Sequence, residues 1–93
     1  MDKIQLGNGI EIAYRDVGQG IPIVLIHGLD GNLAAFKQLS ERLSDRYRVI
    51  TYDVRGHGKS SRCDSFDLED HIEDLYILME QLNISSAHIL GHD

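Results

Sequence analysis

The unbroken apolar run Ile21-Pro22-Ile23-Val24-Leu25-Ile26 lies between Gly20 and His27-Gly28 and shows no polar alternation. A strand with one face in water alternates; a run of this length without alternation suits a strand covered on both faces, as in a parallel sheet. Pro22 stands at its start, where a missing N–H costs least.

Upstream, residues 3–6 and 10–17 form two alternating runs around Asn8-Gly9, a pair that tolerates positive φ and so predicts an antiparallel hairpin. Downstream, Leu33, Phe36, Leu39 and Leu43 recur at helical spacing behind Asn32 as N-cap, in a helix ending near Ser44. Tyr47-Arg48-Val49-Ile50-Thr51-Tyr52 reads as a further strand by its β-branched and aromatic content. A second helix is capped by Asp67, with Asp70 completing a capping box and Glu69, Glu73 and Asp74 placing negative charge toward its positive end. Its expected buried stripe is Leu68, Ile72, Leu75, Met79 and Leu82, and its acidic face is expected to be solvated. Ala87-His88-Ile89-Leu90 is a last short strand, followed by Gly91-His92-Asp93.

The order hairpin, strand, helix, strand, helix, strand predicts an α/β fold: an antiparallel hairpin leading into a mostly parallel sheet with helices on both faces. If the two helices carry the chain to opposite sides of the Ile21 strand, a switch point opens beside it. The segments His27-Gly28-Leu29-Asp30-Gly31 and Gly91-His92-Asp93 then flank the crevice where such sheets bind ligands.

Three landmarks occur in order at the carboxyl ends of predicted strands: His27-Gly28, Asp53-Val54-Arg55-Gly56-His57-Gly58-Lys59-Ser60, and Leu90-Gly91-His92-Asp93. Together they resemble the H-G loop, the D-x-R-G-x-G-x-S loop and the first half of the nucleophile elbow of the α/β-hydrolase superfamily, over essentially the whole chain. The resemblance implies that the backbone N–H of Leu29 is an oxyanion-hole donor, a contribution of about 2.7 to 4 kcal/mol to lowering the barrier. It also implies that Asp93 is the nucleophile, with His27, Gly28, Gly91 and His92 as supporting loop residues. Asp53, Arg55, Gly56, Gly58 and Ser60 are expected to be structural, tying a tight turn to its neighbours.

Aspartate at the elbow, where serine is usual, resembles the epoxide hydrolase and dehalogenase branches. A carboxylate is ionised at neutral pH and attacks saturated carbon to give an alkyl-enzyme ester. Those branches commonly carry proline two residues after the H-G pair, whereas Asp30 stands here and brings the loop closer to esterase-like members. Three readings stay open: an Asp-nucleophile hydrolase, an esterase-like hydrolase of the same fold, and a non-catalytic remnant or interaction module. The family supplies its catalytic acid and histidine later in the chain, so residues 1–93 are expected to be a partial domain without them, without the C-terminal strands or a cap, and inactive alone. The strand at Ala87 to Leu90 would present an open edge and favour self-association.

The remaining expectations are exclusions. Fifteen acidic against nine basic residues give a net charge of −6, no footprint for nucleic acid or anionic lipid. Lys59-Ser60 does not open a helix directly, so a phosphate-binding P-loop fails on spacing. His27, His57, His71, His88 and His92 form no metal-ligand spacing, and Cys63 is the only cysteine. No cofactor is expected, the partner is a small-molecule substrate, no apolar run is long enough to cross a membrane, and the default compartment is the cytoplasm.

Overall fold

The computed structural model describes residues 2–27, 36–62 and 67–91. Five strands, β1 (Asp2–Gln5), β2 (Glu11–Val17), β3 (Ile21–Ile26), β4 (Tyr47–Tyr52) and β5 (His88–Gly91), and two helices, α1 (Lys37–Leu43) and α2 (Leu68–Gln81), follow one another as β1-β2-β3-α1-β4-α2-β5. The sheet order is β1-β2-β4-β3-β5. β1 and β2 pair antiparallel, β2 joins β4 antiparallel, and β3 lies between β4 and β5, parallel to both. The chain thus leaves β3 on one side for β4 and returns on the other for β5, which makes β3 the switch strand.

The period of two along each strand sorts the core into two layers. Val24, Ile50, Tyr52 and Ile12 point to the α2 face and pack with Leu6, Val54, Leu78 and Ile84. Leu25 and Val49 point the other way and pack with Phe36, with Leu43 of α1 partly buried beside them. Val24 and Leu25, consecutive in β3, are both fully buried, which is why the run needs no polar alternation.

Local chemistry sets the element boundaries. Asp67 accepts from the Asp70 N–H at 3.0 Å while the Asp70 carboxylate accepts from the Asp67 N–H at 3.0 Å, a reciprocal capping box. At the other end of α2, Asn83 takes φ 61°. Its N–H donates to the Glu80 carbonyl at 3.1 Å and that of Ile84 to Met79 at 2.8 Å, the paired bonds of a Schellman motif with buried Ile84 as its apolar contact. Arg48 on β4 forks onto Asp16 of β2 at 2.6 and 2.9 Å and donates to the Leu82 carbonyl at 3.0 Å, adding a cation at the carbonyl end of α2. The hydrogen bonds that Arg48 donates to the Asp16 carboxylate push its guanidinium still higher, against the opposing effect of partial burial. Gly18, at φ +86°, turns the chain into β3 where a Cβ would fall on the Tyr47 carbonyl oxygen.

Several expectations are corrected. The expected antiparallel hairpin is present, with Gly7-Asn8-Gly9 as its connection: Leu6 N–H bonds the Ile10 carbonyl at 2.9 Å, and the positive φ values are at Gly7 and Gly9, not at Asn8. Asn8 instead accepts from the Ile10 N–H with its side chain at 3.1 Å. Leu39 is exposed rather than buried, because α1 packs through Phe36 and Leu43. On α2, Leu68 and Ile72 are exposed at 73% and 58%, while Asp74 and Leu78 are the buried positions. The helix is rotated from the expected stripe so that Asp74 faces inward, and Glu73 and Asp74 lie beyond its first turn. β5 begins one residue later than expected, at His88. The proposed cap Asn32 lies outside the described residues.

Candidate functional site

The site is built where three strands end side by side. Ile26 at the end of β3 pairs with Tyr52 at the end of β4 and with Gly91 at the end of β5, so all three carboxyl ends are level. His27 and Asp53 leave the sheet from that edge. Gly28, Leu29, His92 and Asp93 lie outside the described residues. Gly91 is exposed, with nothing within 4 Å of the space a Cβ would take.

His27 is buried, and its Nε2 accepts from the backbone N–H of Val54 at 3.0 Å. Its ring lies 5.5 Å from that of His57, tilted by 59°. His57 Nδ1 is 3.1 Å from the Arg55 carbonyl. The segments leaving β3 and β4 therefore touch through two imidazoles and one amide.

The loop after β4 is organised around Asp53, which is 2% exposed. Its N–H donates to the Ala13 carbonyl at 2.9 Å, extending the β2–β4 ladder by one bond. Its carboxylate accepts from the Lys59 N–H at 2.9 Å, and its carbonyl accepts from the Ser60 hydroxyl. Ser60 Oγ in turn accepts from the Ala13 N–H at 2.9 Å. Ser61 exchanges bonds with Glu11, its Oγ accepting from the Glu11 N–H at 2.8 Å and its own N–H donating to the Glu11 carbonyl at 2.9 Å. Residues 60 and 61 thereby satisfy backbone groups of β2 beyond the end of β4, which a loop lacking hydroxyls at these positions would leave unpaired. Gly56 and Gly58 take φ 81° and 51°, and a Cβ on Gly58 would fall on the Asp53 carboxylate. Arg62 closes the turn by donating to the Gly56 and Gly58 carbonyls, each at 3.1 Å.

Arg55 binds Asp74 of α2 through Nε and Nη2, both at 2.6 Å. Asn8 donates to the same carboxylate at 3.2 Å, and Asp70 lies 3.9 Å from Arg55 Nη1. Asp74 is the residue that sequence reasoning misplaced, on a solvated acidic face. Its signal was a carboxylate one helical turn before Leu78 on the inward side of α2. Burial and, secondarily, the Asp74 charge push the Tyr52 hydroxyl well above its ordinary value, so it stays a neutral phenol behind this cluster.

Among the described residues no group of three His, Cys, Asp or Glu side chains is placed to hold a metal ion, and no helix is long and apolar enough to cross a membrane.

Residues 21–93 match the family model described as the alpha/beta hydrolase fold. A non-heme chloroperoxidase of Kitasatospora aureofaciens is 38% identical over 87 residues, covering 91% of this chain and 32% of that protein. The crystal structure of E-2-(acetamidomethylene)succinate hydrolase superposes with a TM-score of 0.92 at 32% identity, covering 99% of this chain and 34% of that one. A structure from work on epoxide hydrolases of hot-environment metagenomes superposes with a TM-score of 0.94 at 29% identity, covering 99% of this chain and 33% of the other. The chain thus spans about a third of the length of the relatives it matches. With the sheet order, the level strand ends and the family match in agreement, the chain belongs to the α/β-hydrolase superfamily.

Proposed function

We propose that these 93 residues are the N-terminal portion of a hydrolase in which Asp93 is the nucleophile and the Leu29 N–H an oxyanion-hole donor. The observation that carries this reading is the pairing of Ile26 with both Tyr52 and Gly91, because His27-Gly28 and His92-Asp93 follow those adjacent strand ends in the sequence. His27, Gly28, Gly91 and His92 support the two segments, and Asp53, Arg55, Gly56, Gly58 and Ser60 hold the loop beside them.

In the reaction an Asp93 oxygen attacks a saturated carbon to form an alkyl-enzyme ester: either the carbon–halogen bond breaks and halide departs, or the epoxide carbon–oxygen bond breaks and its oxygen, still tethered to the ester, takes up a proton from solvent to become a hydroxyl. A histidine supplied by later sequence removes a proton from water, which hydrolyses the ester and restores the carboxylate. Similarity to the epoxide hydrolase structure supports this branch. Asp30 in the H-G loop and the 32% identity to a succinate-derivative hydrolase favour, as a second reading, an esterase-like enzyme of the same fold.

The substrate is a small molecule, with no cofactor, nucleic acid or membrane taking part. The 93-residue chain alone has no near-enzymatic turnover of epoxide, haloalkane or nitrophenyl ester, because the acid and histidine are contributed elsewhere. The test is single turnover in ¹⁸O-labelled water with the longer protein carrying this chain. Label entering the Asp93 carboxylate supports the ester mechanism, and full activity in Asp93→Asn, with no label in Asp93, overturns it.

A further inference from the structure

An imidazole nitrogen that accepts a hydrogen bond carries no proton, so the bond from the Val54 N–H to His27 Nε2 defines a neutral ring protonated at Nδ1. Protonation at Nε2 would set two N–H groups against each other in a buried place, beside the His57 ring. The contact joins the segment leaving β3 to the segment leaving β4, directly before Gly28 and Leu29 in sequence.

Charged groups around it are largely committed. Asp53 holds the Lys59 amide, Arg55 is bound to Asp74 with Asp70 alongside, and Arg62 is on the Gly56 and Gly58 carbonyls. Lys59 completes that loop; α2 contributes Asp70 and Asp74; β3 has no titratable residue; β5 contributes His88, paired in register with Ile23. His92 and Asp93 follow the Gly91 partner of Ile26 in sequence.

We propose that neutral His27 is a protonation-sensitive positioning residue, which holds the exits of β3 and β4 together through the Val54 amide and lets them part when the ring gains a proton. Its bearing on the Leu29 donor rests on the function proposed above; the contact itself does not.

The test uses the ¹⁵N-labelled 93-residue chain. Ring-nitrogen correlation spectra near neutral pH should show His27 protonated at Nδ1 and bare at Nε2. On acidification from neutral pH, the Val54 amide should shift in step with the His27 ring and lose roughly tenfold in exchange protection. His27→Gln, whose amide oxygen reaches a similar position and does not titrate, should keep Val54 protected at both ends and abolish the step. A ring protonated at Nε2 near neutral pH, a Val54 amide indifferent to the His27 titration, or a step persisting in His27→Gln would each overturn the proposal. If His27→Gln does not fold, the tautomer and the paired midpoints in the unmodified chain decide. Full activity of Asp93→Asn in the longer protein would sink the proposed reaction and leave the His27 result standing.

Discussion

Arg55, in the loop after β4, and Asp74, in the seventh position of α2, form a two-pronged ion pair with both contacts at 2.6 Å, and their side chains are only 11% and 2% exposed. The carboxylate also accepts from Asn8 in the hairpin turn, so one buried group joins three segments distant in sequence. Removing one partner strands the other charge, which is worse than removing both. Asp74→Ala should cost about 3 to 5 kcal/mol by urea denaturation. The double variant Arg55→Met, Asp74→Leu should recover much of that loss; a double variant as unstable as the two singles combined would show that the pair does not act as a unit.

Gly58 and Gly9 separate strain from clash. Both have positive φ, but a Cβ on Gly58 meets the Asp53 carboxylate and one on Gly9 meets nothing within 4 Å. Gly9→Ala should cost about 1 to 2 kcal/mol, the penalty of the left-handed region alone. Gly58→Ala should cost clearly more and release the Lys59 amide from Asp53, seen as faster hydrogen exchange at Lys59.

Tyr52 sets an alkaline limit. Its phenol is raised in the folded chain by burial and by Asp74, so above about pH 10 the unfolded chain ionises there while the folded chain does not. The associated stability is fully present below pH 10 and is lost as pH rises beyond it, by about 1.4 kcal/mol per unit at most. Denaturant midpoints for Tyr52→Phe should fall less steeply than those of the unmodified chain between about pH 10 and pH 11.5.

The ends of α2 should respond in opposite directions. Asp67→Ala removes the side-chain half of the capping box and should cost about 1 kcal/mol, with the Asp70 amide losing protection. Asn83→Gly relieves the positive φ of the Schellman turn and should raise the melting temperature slightly.

The free edge of β5 leads to an oligomerisation prediction. Ile89 and Leu90 are each 48% exposed and point to opposite faces of the sheet, beside a row of backbone groups that pair only with β3 among the described residues. We expect the 93-residue chain to self-associate through this edge, and Ile89→Lys to shift it toward monomer in sedimentation velocity. An unmodified chain that stays monomeric at high concentration would remove this edge as an interface.

Periodicity and turn chemistry are local properties, and so they were legible without a structure. The bounds of β3 and β4 and the Asp67–Asp70 capping box depend on neighbours within a few residues, and each was read correctly from sequence. The inward side of α2 was legible only in part: Leu75, Met79 and Leu82 pack against the core as expected, but Leu68 and Ile72 do not. Leu68 and Ile72 fit an apolar stripe as well as Leu78 does, and choosing between them requires knowing that Arg55 and Asn8 wait beneath Asp74. The hairpin connection likewise depended on whether Leu6 and Ile10 kept their bond, which propensity at Asn8-Gly9 does not report.

The sequence by itself determined the α/β class, the order of elements and the loops that resemble hydrolase motifs, because hydrophobic period and glycine placement are written along the chain. Only the tertiary structure decided that β3 lies between β4 and β5, that the Asp53 loop satisfies the backbone of β2, and that His27 accepts from Val54. Each of these joins groups far apart in the chain, and the partner of a buried polar group is set by which segments the packed sheet brings within hydrogen-bond reach.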